Sequence, residues 1–361
     1  MIELGLRSSI VKIIIDFLNE RKMEVKINKC TFKPHDLIGG GPQGSLIGQL
    51  LYIIASDDVA EDIPEEDKFK YIDDLSALEA VQVKDKLKQY DVQQHVPSDV
   101  PTGQMFLPSA TFRTQKDIEG ISQWTTQNKM ILNEDKSNYM VFSKSKEQFA
   151  ARLLMNGSPL TREREIVHLG ITITEDLSWD NYVSQSCKKA YARVKMLAKL
   201  KYVGVQIEDL IELYSIHIRS VREYCSSAFH SSLNQQLSNK LEAIQKTCLR
   251  VILGVMYVSY SSALEMSGLK SLHDRREQRS VQLAIKCARH PTNKDMFPPN
   301  PSQDKHDIRN REQYKVNKAH SVSYNKSTIP YLQRRLNTHM QKLAEVNRRK
   351  ENRRNRGRRR C

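Results

Sequence analysis

Apolar residues at Leu6, Ile10, Ile14 and Phe17 recur at helical spacing and predict an amphipathic helix over residues 4–18. Met23, Val25 and Ile27 then alternate with Glu24, Lys26 and Asn28, the period of a strand. A turn at Gly39-Gly40-Gly41-Pro42 leads into an apolar stretch of helical length, 45–60. Two strands are expected at 68–72 and 75–81, with Asp73-Asp74 as the turn between them. Residues 91–114 are polar, hold Pro97, Pro101 and Pro108, and read as a long loop. A helix at 115–130, a strand at 139–143 and a strand pair around Asn156-Gly157, ending at 167–173, complete the mixed front half. From about Asp180 the period becomes helical throughout. Val183, Cys187, Ala190, Val194, Leu197 and Lys201 mark one face, and 207–221 and 236–253 form two more helices. After His273 the chain grows polar, with one apolar island at 329–336. The Arg/Asn-rich end, 347–361, is expected to be disordered in isolation.

Composition sharpens this α+β reading. The 361 residues are 39% hydrophobic and 27% charged, which excludes wholesale disorder. The net charge of +15 favours a polyanionic partner, nucleic acid before an anionic membrane. The excess is uneven: residues 331–361 hold twelve Lys and Arg against two acids, so the body is near neutral. The six cysteines form no CxxC pair, which argues against a disulfide framework or a zinc ribbon. Cys287 and His290 have CxxH spacing but no second ligand pair at finger distance. The apolar patch at 10–15 is interrupted by Lys12 and closed by Asp16, too short for a membrane span or a signal segment. An intracellular setting is expected, with the nucleus favoured over the cytoplasm.

Three local features bear chemistry. In Tyr71-Ile72-Asp73-Asp74, adjacent carboxylates at a hairpin tip repel each other unless a cation joins them. Two Mg²⁺ ions held by such oxygens suit phosphoryl transfer. An Asp-rich surface turn would have the same sequence. In Gly41-Pro42-Gln43-Gly44-Ser45, glycines flank a possible nucleotide contact at Gln43, although the same residues would serve as a loop whose Ser45 caps a helix. The third feature runs from Trp124 through Asn133 to Lys136 and Phe142. Trp124, Met130, Leu132, Met140 and Phe142 read as packing, while Lys136 could supply charge or a proton to pyrophosphate or be solvated.

Taken in order, GGPQGS, YIDD and WTTQNKMILNEDK closely resemble the reverse transcriptases of non-LTR retrotransposons, of the jockey-like group in animals. The likeness continues through His168-Leu169-Gly170-Ile171 with Leu177-Ser178-Trp179, through 218–224 and 241–246, to 329–337, and so covers about residues 5–337. It implies a partial right-hand polymerase palm (1–150), a palm–thumb connection with a primer-grip-like segment (151–179), an all-helical thumb (180–270), an extension (271–340) and a basic tail (341–361). It implies Mg²⁺ on Asp73 and Asp74, a nucleotide pocket lined by Gly41, Pro42, Gln43, Gly44, Ser45 and Tyr71, and assistance from Lys136. The partners implied are an RNA template, a DNA primer and deoxynucleoside triphosphates, with no membrane. Arg219 and Lys246 become candidates for backbone contact.

The family's upstream Asp…Ala-Phe-Asp motif is not found in this sequence, and neither are the fingers. The chain therefore reads as starting inside the palm. Asp16 is the one tempting substitute, in a setting that looks like the helix after the missing motif. Two Mg²⁺ ions would be held only if the upstream carboxylate were supplied, so the chain alone is expected not to polymerise DNA. The alternative is a non-catalytic relic that binds nucleic acid through its thumb and through Arg348, Arg349, Arg353, Arg354, Arg358 and Arg359. With no aromatics among these arginines, that contact would be to phosphates.

Overall fold

The computed structural model describes residues 5–28, 30–37, 39–41, 45–80, 104–106, 108–143, 148–300, 313–318 and 321–358. The chain divides into two compact units, Met1–Arg164 and Glu165–Cys361.

The first unit begins with helix α1 (Ser8–Leu18), none of whose residues is buried. The alternation after it makes two short antiparallel pairs instead of one strand: β1 (Lys22–Met23) with β4 (His35–Asp36), and β2 (Lys26–Ile27) with β3 (Cys30–Thr31). Helix α2 (Leu46–Ala55) is capped by Ser45. It ends before the expected residue 60, in turns that carry Ala60 and Ile63 into a small core. Hairpin β5 (Lys68–Tyr71) and β6 (Asp74–Ala77) follows. Strand β7 (Gln104–Phe106) and helix α3 (Pro108–Gln127) occupy part of the expected loop. Pro108 opens that helix, where its missing N–H costs nothing and its fixed φ fits.

Strand β8 (Asn138–Tyr139) is shorter than the expected 139–143, and β9 (Gln148–Ala150) runs parallel to β7. Strands β10 (Leu154–Met155) and β11 (Ser158–Pro159) form the hairpin expected around Asn156-Gly157, both of which have positive φ as such a turn requires. Strand β12 (Thr161–Arg162) runs parallel to β8. Gln115 of α3 clamps β10, its amide donating to the Leu154 carbonyl at 2.9 Å and accepting from the Leu154 N–H at 2.7 Å. Ile118 packs there with Leu153 and Met155. Among the described residues every sheet is two-stranded.

The second unit starts with hairpin β13 (Glu165–His168) and β14 (Ile171–Thr174), where one strand is expected. Its turn, Leu169-Gly170, has positive φ at both residues. Helices α4 (Asp180–Tyr202), α5 (Ile207–Leu213), a π-helical turn (Tyr214–Arg219) and α6 (Ser220–Glu223) follow. Short α7 (Ser226–Phe229) precedes α8 (Gln235–Leu253), α9 (Tyr260–Ser267) and α10 (Leu272–Arg289). Asn234, Ser259 and Ser271 cap the last three through their side chains.

The core lies between α4, α5, the π turn and α8, where Ala190, Leu197, Leu210, Tyr214, Ile218, Ile244, Cys248 and Ile252 are fully buried. A second cluster stacks Trp179, Tyr182 and Phe229, with ring centroids 5.4–6.2 Å apart. Helices α11 (Val322–Asn325) and α12 (Thr328–Arg358) end the described chain. Leu332 and Leu336 of α12 join Ala284 and Phe297 in a third cluster. The tail expected to be disordered is helical to Arg358. Arginine is a good helix former, and Arg349 pairs with Glu345 one turn away at 2.5 Å. No single helix among the described residues is long and apolar enough to cross a membrane.

Candidate metal and nucleotide site

The β5–β6 hairpin turns one residue earlier than its sequence suggests. Tyr71 pairs with Asp74, so Ile72 and Asp73 make the turn. Ile72 has φ +57°, a conformation that a β-branched side chain adopts at a cost of about 1–3 kcal/mol. The result sets Asp73 at the tip and Asp74 at the first position of β6, both exposed. Tyr71 is 59% exposed beside them.

The hairpin is fixed from below by its lysines. The Lys68 ammonium donates to the Ala60 carbonyl at 3.1 Å and pairs with Glu65 at 2.7 Å, while the Lys70 ammonium donates to the Ser56 carbonyl. Burial pulls the Lys70 pKa down, and the charges of Asp57 and Asp58 oppose that shift. Both lysines of the hairpin are thus spent on the segment that follows α2. Among the described residues no lysine or arginine forms an ion pair with Asp73 or Asp74. Leu75 holds β6 against Ala60, Ile63 and Ile121.

Helix α2 approaches the same tip. Burial raises the Tyr52 pKa, and the negative charge of Asp73 raises it further, so the Asp73 carboxylate lies within electrostatic reach of the Tyr52 phenol. The Ser45 hydroxyl accepts from the Gly48 N–H at 2.9 Å and so serves as the helix cap. Gly41 runs close to the first turn of α2, and a Cβ there would sit 3.5 Å from the Gly48 carbonyl oxygen. The Arg21 guanidinium, just after α1, donates to the Gly40 carbonyl and anchors the start of the loop. Pro42, Gln43 and Gly44 lie outside the described residues.

Lys136 sits on a 3-10 turn, Glu134–Lys136, whose Asn133 side chain accepts from the Lys136 N–H at 3.2 Å. Its side chain is exposed. Leu132, four residues earlier, packs on the same Ala60–Ile63–Ile121 cluster as Leu75. The fold therefore brings the Asp73-Asp74 hairpin and the Lys136 segment onto one patch of core. No hydrogen bond or ion pair joins Lys136 to either aspartate among the described residues. Asp16 is exposed on α1, in a helix as its neighbours suggest. Trp124, Met130, Leu132 and Met140 are half-buried, but Phe142 is 47% exposed and does not pack as expected.

A feature missed in the sequence surrounds the hairpin. Between Asp57 and Asp74 there are nine acids and two lysines, in a protein whose net charge is +15. The field reaches α3, where burial raises the Asp117 pKa, with Glu79 and Asp62 adding to the rise and Arg113 opposing it. The signal was a plain charge count over an 18-residue window. Hard carboxylate oxygens without a lysine or arginine partner, in a negative field, fit a hard divalent cation such as Mg²⁺. Asp73 and Asp74 are the two carboxylates at the hairpin tip, and among the described residues they do not come together with a third potential metal ligand.

In the second unit, Arg348 and Arg349 are exposed on α12, and Arg349 is engaged with Glu345. Arg353, Arg354 and Arg358 lie on the same helix, and Arg359 is outside the described residues. The Lys246 ammonium lies 5.1 Å from the Tyr260 ring centroid. Arg219 is half-buried, and burial, then the charge of Arg275, lowers its pKa.

One group of potential metal ligands comes together here, His230, His273 and Glu277. Its donors already have partners: Glu277 holds Arg335 at 2.5 Å, and His230 Nδ1 accepts from Arg276 Nε at 3.4 Å. Two adjacent guanidinium groups make it a poor cation site. Cys287 and His290 join no such group among the described residues.

Over 258 residues the chain is 21% identical to the RNA-directed DNA polymerase from mobile element jockey of Drosophila melanogaster. The aligned region takes in 70% of this chain and 26% of that protein, so the chain spans only about a quarter of its length. No family model matches the sequence. No solved structure matches it either.

Proposed function

We propose that the first unit carries the metal- and nucleotide-facing part of an RNA-directed DNA polymerase of the non-LTR type, with the helical second unit in the place of a thumb. The distant likeness to the jockey polymerase supports the class. The observation that carries the chemistry is the pair Asp73-Asp74, adjacent at a hairpin tip, free of lysine or arginine partners and beside the helix that follows the GGPQGS loop. In this reading Asp73 and Asp74 would hold Mg²⁺, which would supply charge neutralisation for a triphosphate.

The chain's own residues do the rest. Asp73 and Asp74 supply the oxygens that fix the cation. The hairpin's lysines, turned to backbone carbonyls, leave those oxygens free. Gly41 and Ser45 lie in the GGPQGS segment, which in this reading serves the nucleotide, with Ser45 capping the helix behind it and Tyr71 exposed next to Asp73 and Asp74. Lys136 offers positive charge, or a proton, to departing pyrophosphate. Two carboxylates make a thin ligand set for two ions, so the chain alone is expected to bind the cation weakly and not to extend a primer.

The test is an Mn²⁺ titration followed by electron paramagnetic resonance, with Mn²⁺ standing in for Mg²⁺. Binding that disappears in Asp73→Asn/Asp74→Asn is expected, and unchanged binding in the double variant would falsify the site. Primer extension on an RNA template is expected to be blank. Extension lost only on Asp73→Asn would confirm the chemistry and show that a further carboxylate completes the site.

The alternative is non-catalytic nucleic-acid binding through the second unit. The observation favouring it is the exposed pair Arg348 and Arg349 on a 31-residue helix. It predicts phosphate contact with steep salt dependence and no need for divalent metal.

A further inference from the structure

Helix α4 presents a charged surface that belongs neither to the hairpin nor to the terminal arginines. From Asn181 to Tyr202 it contains six Lys and Arg and no acid. Its core side is Val183, Ser186, Ala190, Val194 and Leu197, all buried. At 3.6 residues per turn the opposite side is a single stripe: Lys188, Tyr191, Lys195, Lys199 and Tyr202. All five are exposed, Tyr191 at 45% and Tyr202 at 91%. Arg193 points elsewhere, its guanidinium donating to the His217 carbonyl.

On a solvated helix face an acid one turn from a lysine is stabilising and a second lysine there is destabilising. Here Lys195 and Lys199 stand one turn apart with like charge, and no described residue pairs with Lys188, Lys195 or Lys199. Tyr202, at the last turn of the helix, leaves nearly all of its surface bare. Lysines in a row with aromatic rings between and beyond them combine phosphate contact with a stacking platform. The stripe from Lys188 to Tyr202 is about 21 Å long at 1.5 Å per residue, room for several nucleotides.

We infer that this stripe is a track for single-stranded nucleic acid, with phosphates on Lys188, Lys195 and Lys199 and unstacked bases on Tyr202 and Tyr191. Single strands are favoured because the bases of a duplex are stacked on each other and withhold their faces from a tyrosine. The inference does not rest on nucleotidyl transfer and would stand if Asp73 and Asp74 bound no metal.

The experiment is fluorescence anisotropy of a labelled oligothymidine across a salt series. It uses the full chain with Arg348, Arg349, Arg353 and Arg354 changed to glutamine, so that the terminal arginines do not mask the track. Lys188→Gln/Lys195→Gln/Lys199→Gln should reduce the slope of log K against log[salt] by about 2. Tyr202→Ala should weaken binding roughly five- to a hundredfold with the slope unchanged, and Tyr202→Phe should retain it. The same Tyr202→Ala change should leave affinity for a duplex of equal length nearly unaltered. All of these side chains are exposed, so far-UV circular dichroism should match the parent. If the lysine variant misfolds, the tyrosine pair still decides. A wild-type slope in a folded lysine variant, or equal losses for single strand and duplex on Tyr202→Ala, would overturn the proposal.

Discussion

Gln245 offers the sharpest test of how the helical unit is held together. It is fully buried, and its amide serves three partners. Its oxygen accepts from the Tyr214 hydroxyl at 2.6 Å, and its nitrogen donates to the Tyr260 hydroxyl at 3.1 Å and to the Lys270 carbonyl at 2.9 Å. Tyr260 in turn donates to Glu242, whose carboxylate accepts the Leu272 N–H at 3.0 Å and the His273 N–H at 3.2 Å at the start of α10. Burial raises the Tyr214 pKa well above the usual phenol value, so Tyr214 remains a donor.

Leucine at 245 has the right size but leaves the Tyr214 hydroxyl and the Lys270 carbonyl unpaired. At about 1–3 kcal/mol for each orphan, partly offset by the added apolar burial, the expected loss is about 2–4 kcal/mol. Tyr214→Phe alone leaves only the Gln245 oxygen unpaired, a loss of about 1–2 kcal/mol. Combining Tyr214→Phe with Gln245→Leu removes the orphaned hydroxyl. The double variant should therefore be more stable than Gln245→Leu by itself, by about 1 kcal/mol. Urea unfolding of the full chain followed by circular dichroism, with unchanged m, reads all three. The reasoning is refuted if the double variant is the least stable of the set.

Two further outcomes follow from buried charge. Glu223 is 2% exposed, receives two N–H groups from Arg275, and pairs with Arg279 at 3.0 Å; Glu223→Gln should cost about 3–5 kcal/mol in the same assay, and a neutral result would contradict the reading. His230 sits among Arg276, His273, Arg335 and Tyr331, and burial, then those cationic neighbours, lowers its pKa from 6.5 to about 4. The unfolded chain takes up this proton first, so stability should fall as pH drops from 6.5 toward 4, by about 3 kcal/mol at 1.36 kcal/mol per unit. His230→Gln should flatten that part of the pH profile, and an unchanged profile would rule out His230 as its source.

The helices of the second unit were legible because their period is long and repeated. Val183, Ala190, Val194 and Leu197 recur at helical spacing on one face, and that face is buried. The Asn156-Gly157 hairpin was legible because its turn residues suit positive φ. Leu169-Gly170 makes the same kind of turn, but leucine in that conformation gives no local signal, so the sequence pattern suggests one strand where the fold has a hairpin. Pro108 misled because proline punctuates loops and opens helices alike. The arginine-rich end reads as disorder by composition, yet it continues a helix whose first turns are docked on α10.

At the site, the Asp73-Asp74 pair and the Ser45 cap are local features and visible in the sequence, while the packing of Leu75 and Leu132 on one cluster, which brings the hairpin and the Lys136 segment onto the same patch of core, depends on tertiary structure. The Gln245 network could not be read locally at all. Its members come from α8, the π turn, α9 and the segment before α10.

Helix α12 has one more consequence. Tyr331, Leu332, Leu336 and Met340 are held against the body of the unit, whereas the described side chains from Lys342 to Arg349 are exposed. Starting a helix is the unfavourable step, and adding residues to an existing one is nearly neutral. The docked turns therefore act as a seed, and the following 18 residues, about 27 Å of helix, grow from it without a nucleus of their own. Like charges recurring one turn apart in this stretch of sequence oppose that growth by about 0.2–0.5 kcal/mol per pair. Counter-ions or a polyanion relieve it. The arm's helical length thus becomes a readout of ionic surroundings, lengthening where negative charge is at hand and shortening where it is not.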